Sequence, residues 1–307
     1  MAPRVGETIS PDSLAKRIFC DISDEVKRTP KRPYLMGVLA SDDGGSRQYA
    51  NWTQKTCQRI GVHFHLSQLS PRNVATYIRA INANPSIHGV IVYYPIFGDK
   101  RDDAIRQLVA REKDVEGLNR RTLSGLSEIT EVPRHLPLDQ MIVPCTPRAV
   151  SWILQWLDVY DPVRQAGDRL WNREVCIINR SEVVGLPLAQ LLAGEGARVY
   201  SVDITGVQLF HRVDNPWDIG ELHRKDLPDW TLRNALERSP VVISAVPDPA
   251  FKVETSYLRR DAICINVAFE KNFSSDIVES VSKFVPRVGS VTIAALLYNL
   301  LLGSSGC

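Results

Sequence analysis

The sequence predicts an α/β protein made of two α/β domains, and three observations carry that prediction. Short apolar runs alternate with stretches whose apolar residues recur at helical spacing, the pattern of parallel strands covered by helices. The alternation breaks at a polar stretch around Arg111 to Asn119 and restarts at Glu174. The length, 307 residues, is about twice the usual single-domain size.

Taken in order, Ser10 can cap a first helix with Pro11 in its first turn, and Leu14, Ile18, Ile22 and Val26 recur every four residues until Pro30 and Pro33 end it. Residues 34–40 form an apolar run entering the polar turn Asp42-Asp43-Gly44-Gly45, and predict a strand. A helix over about 46–60 and a strand over 62–66 follow. Ser70-Pro71 opens a helix carrying Val74, Tyr77, Ile78 and Ile81, and 89–94 is another buried strand. Thr146, with Pro147 behind it, can cap a helix containing Val150, Ile153, Leu154 and Leu157 that links the domains. From Glu174 the pattern gives a strand over 175–178, a helix over 188–193 stopped by Gly194 and Gly196, and a strand over 198–203. Strands over 241–246 and 262–269 extend the second sheet, and 292–302 is a strongly apolar final helix. The polar segment 208–229 is expected as a surface excursion, and there is no internal repeat or low-complexity tract.

Composition excludes several classes. With 44% hydrophobic and 23% charged residues the chain is neither disordered nor fibrous. Thirty-seven basic against 35 acidic residues leave a net charge of +2, without the basic footprint that nucleic acid requires, so none is expected as a partner. No stretch approaches the roughly 20 apolar residues of a membrane helix. Residues 1–11 lack the apolar core of a signal peptide, so no membrane and a cytoplasmic location are expected. Cys20, Cys57, Cys145, Cys176, Cys264 and Cys307 are scattered singly, without a CxxC pair or a His cluster. They are expected as buried small side chains or free thiols in a reducing compartment, and no metal site is expected.

The second βαβ unit carries the most chemistry. Its strand-to-helix turn is Asn179-Arg180-Ser181-Glu182-Val183-Val184-Gly185, which brings backbone N–H donors to a helix N-terminus where a pyrophosphate could rest, although no GxGxxG is present. The next strand ends at Asp203, 24 residues after Asn179, near the spacing at which a carboxylate accepts the adenosine ribose hydroxyls. A carboxylate there repels the 2′-phosphate of NADP and so favours NAD. Arg180 and Arg198 pull the other way, since either could pair with a phosphate, and Asp203 could also be a plain turn residue at a strand end.

Five motifs then carry a resemblance. Ser46…Tyr49…Lys55, Lys113-Asp114-Val115-Glu116-Gly117, Pro144-Cys145-Thr146-Pro147, Asn179-Arg180-Ser181…Val184-Gly185…Pro187 and Val288-Gly289-Ser290-Val291-Thr292 occur in order from about Tyr34 to Leu300. Together they resemble the methylenetetrahydrofolate dehydrogenase/cyclohydrolase family. Tyr49-Ala50…Trp52-Thr53-Gln54-Lys55-Thr56 and Tyr200-Ser201-Val202-Asp203 are most similar to its monofunctional, NAD-dependent fungal-type branch.

The resemblance implies an N-terminal folate-binding catalytic domain, 1–146 plus 291–307, and a C-terminal Rossmann-like NAD domain, 147–290, with a folate cleft between them and the last helix packing back on the first. It implies a homodimer in cytosolic one-carbon metabolism, feeding purine biosynthesis. Tyr49 would stack on the aminobenzoyl ring of the folate, and Glu116 would receive the pterin N–H donors, with one methylene more than the family's aspartate. Ser46 and Gly289 join the substrate side. Cys145, Asn179, Arg180, Ser181, Val184, Gly185, Asp203 and Thr292 fall on the cofactor side. Other readings stay open: Tyr49 as packing, 111–116 as a solvated charge run, Thr292 as a helix cap, and Asp114 as a structural neighbour of Glu116.

The catalytic positions marked by the resemblance are Tyr49, Thr53, Tyr93 and Glu116, and besides Glu116 two of them, Thr53 and Tyr93, depart from the family. The bifunctional members place a lysine where Thr53 stands and a glutamine where Tyr93 stands, and both serve cyclohydrolysis. Lys55 lies about 200° around the helix from Thr53 and cannot readily substitute. Hydride transfer needs positioning more than a general base, whereas hydrolysis needs an activated water. The expectation is an NAD-dependent methylenetetrahydrofolate dehydrogenase without cyclohydrolase activity. The alternatives are a bifunctional enzyme, a hydroxy-acid or amino-acid dehydrogenase, and a non-catalytic NAD-binding regulator. None of His63, His65, His88, His135, His211 or His223 sits in a catalytic string that would favour a hydroxy-acid enzyme.

Overall fold

The computed structural model describes residues 6–123, 140–212 and 222–304. These divide into two compact units, one of 15–123, 140–145 and 293–304, the other of 6–14, 146–212 and 222–292. Strand β1 (Glu7–Thr8) belongs to the second unit, because its residues pair in parallel with Lys283 and Phe284. The expected first domain began at residue 1; this strand pairing moves 6–14 to the other unit.

The first unit is built on β2 (Tyr34–Leu39), β3 (His63–Gln68) and β4 (Gly89–Tyr93), all parallel, in the order β3-β2-β4. Helix Gly44–Ile60 buries Ser46, Ala50, Thr53, Cys57 and Ile60, a stripe at three- and four-residue spacing. The Asp43 carboxylate caps it by accepting the Ser46 N–H at 2.7 Å, and Gly61 ends it at φ +87°. A short turn at Pro71–Asn73 leads into helix Val74–Ala83, whose Val74, Ile78 and Ile81 pack with Met36, Val38, Val90 and Val92. The last helix, Gly289–Ser304, docks on this unit through its second half. Asn299 Nδ2 donates to the carbonyls of Val115 at 2.9 Å and Val143 at 2.8 Å. Leu300 packs so tightly over Gly89 that a Cβ there would lie 2.7 Å from its methyl carbon.

The second unit adds β5 (Glu174–Ile178), β6 (Arg198–Asp203), β7 (Gly206–Arg212), β8 (Leu222–Leu227), β9 (Val241–Ser244), β10 (Ile263–Asn266) and β11 (Lys283–Val285). The described strands form one sheet ordered β1-β11-β10-β9-β5-β6-β7-β8, parallel as far as β6 and antiparallel beyond it. Its core gathers Cys176, Tyr200, Val242, Cys264 and Phe273.

The segment 208–229 is therefore not an excursion where it is described: β7 and β8 pair from Val207↔Leu227 to Arg212↔Leu222, while 213–221 lies outside the described residues. An edge strand as charged as Leu222-His223-Arg224-Lys225-Asp226-Leu227 resembles a loop in sequence because, among the described residues, only one of its edges is paired. Two expected caps also move inward. Helix Cys145–Trp156 opens one residue before Thr146, and the last helix opens at Gly289, so Thr292 sits in its first turn and its Oγ1 donates to Val288 O at 3.2 Å. Among the described residues, no helix is long and apolar enough to cross a membrane.

Candidate active site

Helix Gly44–Ile60 places Tyr49 and Thr53 one turn apart. Thr53 is fully buried and its Oγ1 donates to Tyr49 O at 3.0 Å. Tyr93, the last residue of β4, meets Tyr49 edge to face, with centroids 6.0 Å apart and planes at 76°. Burial drives the Tyr93 phenol well above its ordinary pKa, and the Thr53 hydroxyl beside it eases the shift. Lys55 is exposed, on the side of the helix away from this pair. Ser46 ties the start of the same helix to the end of β4 by donating from Oγ to Tyr94 O at 2.8 Å.

The string Lys113 to Gly117 folds as a loop whose charges are mostly turned inward. Lys113 Nζ donates to the carbonyls of Ile81 (2.8 Å), Asn82 (3.0 Å) and Asn84 (2.6 Å), closing the C-terminal end of helix Val74–Ala83. The Asp114 carboxylate accepts the N–H of Gly117 at 3.0 Å and of Asn119 at 2.7 Å, and burial raises its pKa against those donors. Gly117 sits at φ +70°, where a Cβ would lie 2.8 Å from Pro144 N, so only glycine fits. The solvated-run reading thus applies to the exposed Arg111 and Glu112, not to the buried Lys113 and Asp114.

This loop aims Glu116 at β4, where its Oε2 accepts the Val92 N–H at 3.1 Å. Burial pushes the Glu116 carboxyl up to about 8; the Val92 N–H and the Arg106 charge oppose the rise and the Asp114 charge adds to it. Cys145 is fastened to the same loop: its N–H donates to Glu116 O at 3.2 Å and its Sγ to Val115 O at 3.2 Å. Tyr49 is the meeting point. Burial, then the charges of Cys145, Glu116 and Tyr93 around it, raise its phenol well above the ordinary value. The structure thus gathers Tyr49, Thr53, Tyr93, Glu116 and Cys145 within the first unit. Cys57, on the same helix as Thr53, is buried and its thiol is pushed up to about 12. Cys145, Cys176 and Cys264 are likewise buried and in no disulfide, Cys20 is exposed, and Cys307 and His135 lie outside the described residues. Among the described residues, no group of His, Cys, Asp and Glu could hold a metal ion.

In the second unit, Asn179 leaves β5 at φ +85°, and its Oδ1 accepts the Ser181 N–H at 2.9 Å. Helix Gly185–Gly194 starts at a glycine whose Cβ would lie 1.8 Å from Asn179 O, so the turn closes directly onto the helix end, with Val184 as the preceding residue. Ser181 Oγ accepts the Gly185 N–H at 3.4 Å. Asp203 stands at the end of β6 with both carboxylate oxygens held by backbone donors, Arg180 N at 2.6 Å and Ile204 N at 2.7 Å. Gly289 opens the last helix with open space where a Cβ would stand, and Ser290 Oγ donates to Asp12 at 2.9 Å.

A further network at the C-terminal ends of β9 and β10 escapes the sequence reading. Ser244 Oγ and Val246 N–H both donate to Asn272 Oδ1, at 2.8 and 3.0 Å, and Asn272 N–H donates to Asn266 Oδ1 at 3.0 Å. It shapes the loops at the strand ends where open parallel sheets bind ligands. The available signal was one polar residue, Asn266, closing the apolar run Ile263-Cys264-Ile265.

Comparison with known proteins identifies relatives of the chain. A family model described as tetrahydrofolate dehydrogenase/cyclohydrolase, catalytic domain, matches residues 9–116. The chain is 38% identical over 308 residues to a methylenetetrahydrofolate dehydrogenase (NAD+) of Saccharomyces cerevisiae, covering 96% of this chain and 95% of that one. It is 39% identical over 276 residues to the protein of the same name from Schizosaccharomyces pombe, covering 88% and 84%. The solved structure of the NAD-dependent 5,10-methylenetetrahydrofolate dehydrogenase from Saccharomyces cerevisiae superposes with a TM-score of 0.91 at 36% identity, covering 99% of this chain and 98% of that one. With motifs, fold and relatives in agreement along nearly its whole length, the chain belongs to the tetrahydrofolate dehydrogenase/cyclohydrolase family.

Proposed function

We propose that the protein oxidises 5,10-methylenetetrahydrofolate to 5,10-methenyltetrahydrofolate with NAD and lacks cyclohydrolase activity. The observation that carries the cofactor assignment is the Asp203 carboxylate, fixed at the end of β6 by the N–H groups of Arg180 and Ile204. The second unit fits a dinucleotide. Gly185 lets the turn after β5 close onto a helix N-terminus, where the Ser181 to Gly185 backbone can cradle a pyrophosphate, and Asp203 can accept the ribose diol. Bound NAD supplies the hydride acceptor.

The first unit holds the folate in this reading. The Tyr49 ring lies against the aminobenzoyl group and is itself buttressed edge-on by Tyr93. Glu116, fixed by Val92, accepts the adjacent pterin N–H donors. Loss of hydride is assisted by the nitrogen lone pairs of the substrate, so these residues orient the folate and no general base is required. Water activation has no lysine at Thr53 and no glutamine at Tyr93, which supports a dehydrogenase alone. A cytoplasmic homodimer is part of the proposal, tested by fractionation and light scattering.

The test is direct. Purified protein given methylenetetrahydrofolate and NAD forms NADH and methenyltetrahydrofolate together, and it does not speed the decay of added methenyltetrahydrofolate. Folded protein that forms no NADH contradicts the reading.

A further inference from the structure

Arg180 lies in the turn that the proposed function assigns to NAD, yet its guanidinium is spent on the protein. Nε donates to Ser201 Oγ at 3.0 Å and Nη1 to Thr205 Oγ1 at 3.1 Å. Nη2 donates to the carbonyls of Ser201 at 2.6 Å and Gly206 at 2.7 Å. All four acceptors belong to the end of β6, the start of β7 and the two-residue turn between them. Asp203 stands at the head of that same turn and accepts the backbone N–H of Arg180 at 2.6 Å. One residue therefore grips the turn with its side chain and the turn's carboxylate with its backbone.

A planar guanidinium with donors on a rigid fork spans four acceptors spread over two strands and the turn between them; an ammonium, whose three donors leave one point, cannot reach the same set. The antiparallel pairing of Asp203 with Gly206 closes the turn, and beyond that ladder its residues face solvent. Thr205 and Gly206 are exposed, Gly206 takes φ +109°, and Ile204 is fully exposed. The direction of the Asp203 carboxylate depends on this turn, and a ribose diol accepts only a narrow range of carboxylate positions if both hydroxyls are to donate.

We infer that Arg180, through Ser201 and Thr205, is a positioning residue for cofactor choice: it holds the β6–β7 turn so that Asp203 meets the adenosine ribose, and it is not a ligand for a cofactor phosphate. The inference rests on the reading that Asp203 faces that ribose.

The experiment compares Ser201→Ala/Thr205→Ala, Thr205→Ala, Arg180→Ala, Arg180→Lys and Asp203→Ser with the unaltered chain. It measures KM for NAD, KM for methylenetetrahydrofolate, kcat, and the affinity for ADP-ribose by calorimetry. The Ser201→Ala/Thr205→Ala variant changes no charge, and it weakens NAD and ADP-ribose about fivefold, the scale of one or two hydrogen bonds, with kcat and the folate KM unchanged. Thr205→Ala, at an exposed position where folding is secure, gives about a twofold loss in the same direction. Arg180→Lys is as weak as Arg180→Ala, because charge without the fork does not hold the turn. The inference is overturned if Ser201→Ala/Thr205→Ala matches the unaltered chain, since the turn then does not depend on Ser201 and Thr205, or if Arg180→Lys restores full affinity, since Arg180 is then a charge acting on the cofactor. If Asp203→Ser leaves ADP-ribose affinity unchanged, the ribose reading falls and the inference with it. If Asp203→Ser weakens binding while the turn variants do not, only the inference falls.

Discussion

Glu116 Oε2 accepts the backbone N–H of Val92 at 3.1 Å, so the residue that precedes Tyr93 also fixes the carboxylate proposed to hold the pterin. That carboxyl is pushed up to about 8 by burial, from 4.5. Below about 4.5 it is protonated both folded and unfolded. Between there and about 8 the folded state keeps a proton that the unfolded state has released, so stability falls as pH rises, by up to about 1.4 kcal/mol per unit. Above about 8 the loss stops growing. Denaturant titrations of Glu116→Gln therefore show a flatter dependence between pH 5 and 8, with the variant gaining on the unaltered chain as pH rises. An unchanged slope would remove Glu116 as its source. The same ionisation gives kcat/KM for the folate an ascending limb near pH 8 that Glu116→Gln lacks.

Thr53 and Tyr93 are the two departures from the family that bear on cyclohydrolysis, and the structure puts them side by side. Thr53→Lys/Tyr93→Gln restores both groups of the bifunctional members. It accelerates hydrolysis of methenyltetrahydrofolate at least about tenfold over the unaltered chain, a modest share of what an acid–base group contributes. The absorbance decay of added methenyltetrahydrofolate measures it, and a folded double variant with no gain would separate these positions from cyclohydrolysis.

Gly185 closes the turn onto its helix. Gly185→Ala drives a methyl into Asn179 O, at 1.8 Å before any shift, so it costs about 1–3 kcal/mol of stability and weakens NAD binding. Thermal unfolding with and without NAD reads both effects. A variant equal to the unaltered chain in both would mean that the turn is looser than described.

Lys113 closes the end of helix Val74–Ala83 with three bonds to carbonyls. Lys113→Met strands those acceptors and lowers stability by about 3 kcal/mol in urea titrations. A loss below about 0.5 kcal/mol, the size of a surface substitution, would contradict the assigned role.

What the sequence made legible was local. The helix around Tyr49 was expected, and its period of about 3.6 residues separated the buried Thr53 from the exposed Lys55. Asp203 was visible because strand length and the reach of a βαβ unit fix where a carboxylate of that kind falls. What was hidden depends on partners far along the chain. β8 is charged because it is an edge, and nothing in Leu222 to Leu227 announces the strand it pairs with. Lys113 and Asp114 looked like solvated charge because their acceptors and donors come from loops and helix ends that only folding brings together. Arg180 was ambiguous for the same reason: its four acceptors lie 21 to 26 residues away.

The central claim is an NAD-dependent dehydrogenase whose cofactor choice is set by Asp203. The most direct test is steady-state kinetics with NAD and with NADP at saturating methylenetetrahydrofolate, for the unaltered chain and for Asp203→Ser. The account predicts that kcat/KM for NAD exceeds that for NADP by about a hundredfold or more, the scale of an unpaired like charge. It also predicts that Asp203→Ser narrows the gap by at least about tenfold. A chain that prefers NADP, or a preference for NAD that survives Asp203→Ser intact, would contradict it.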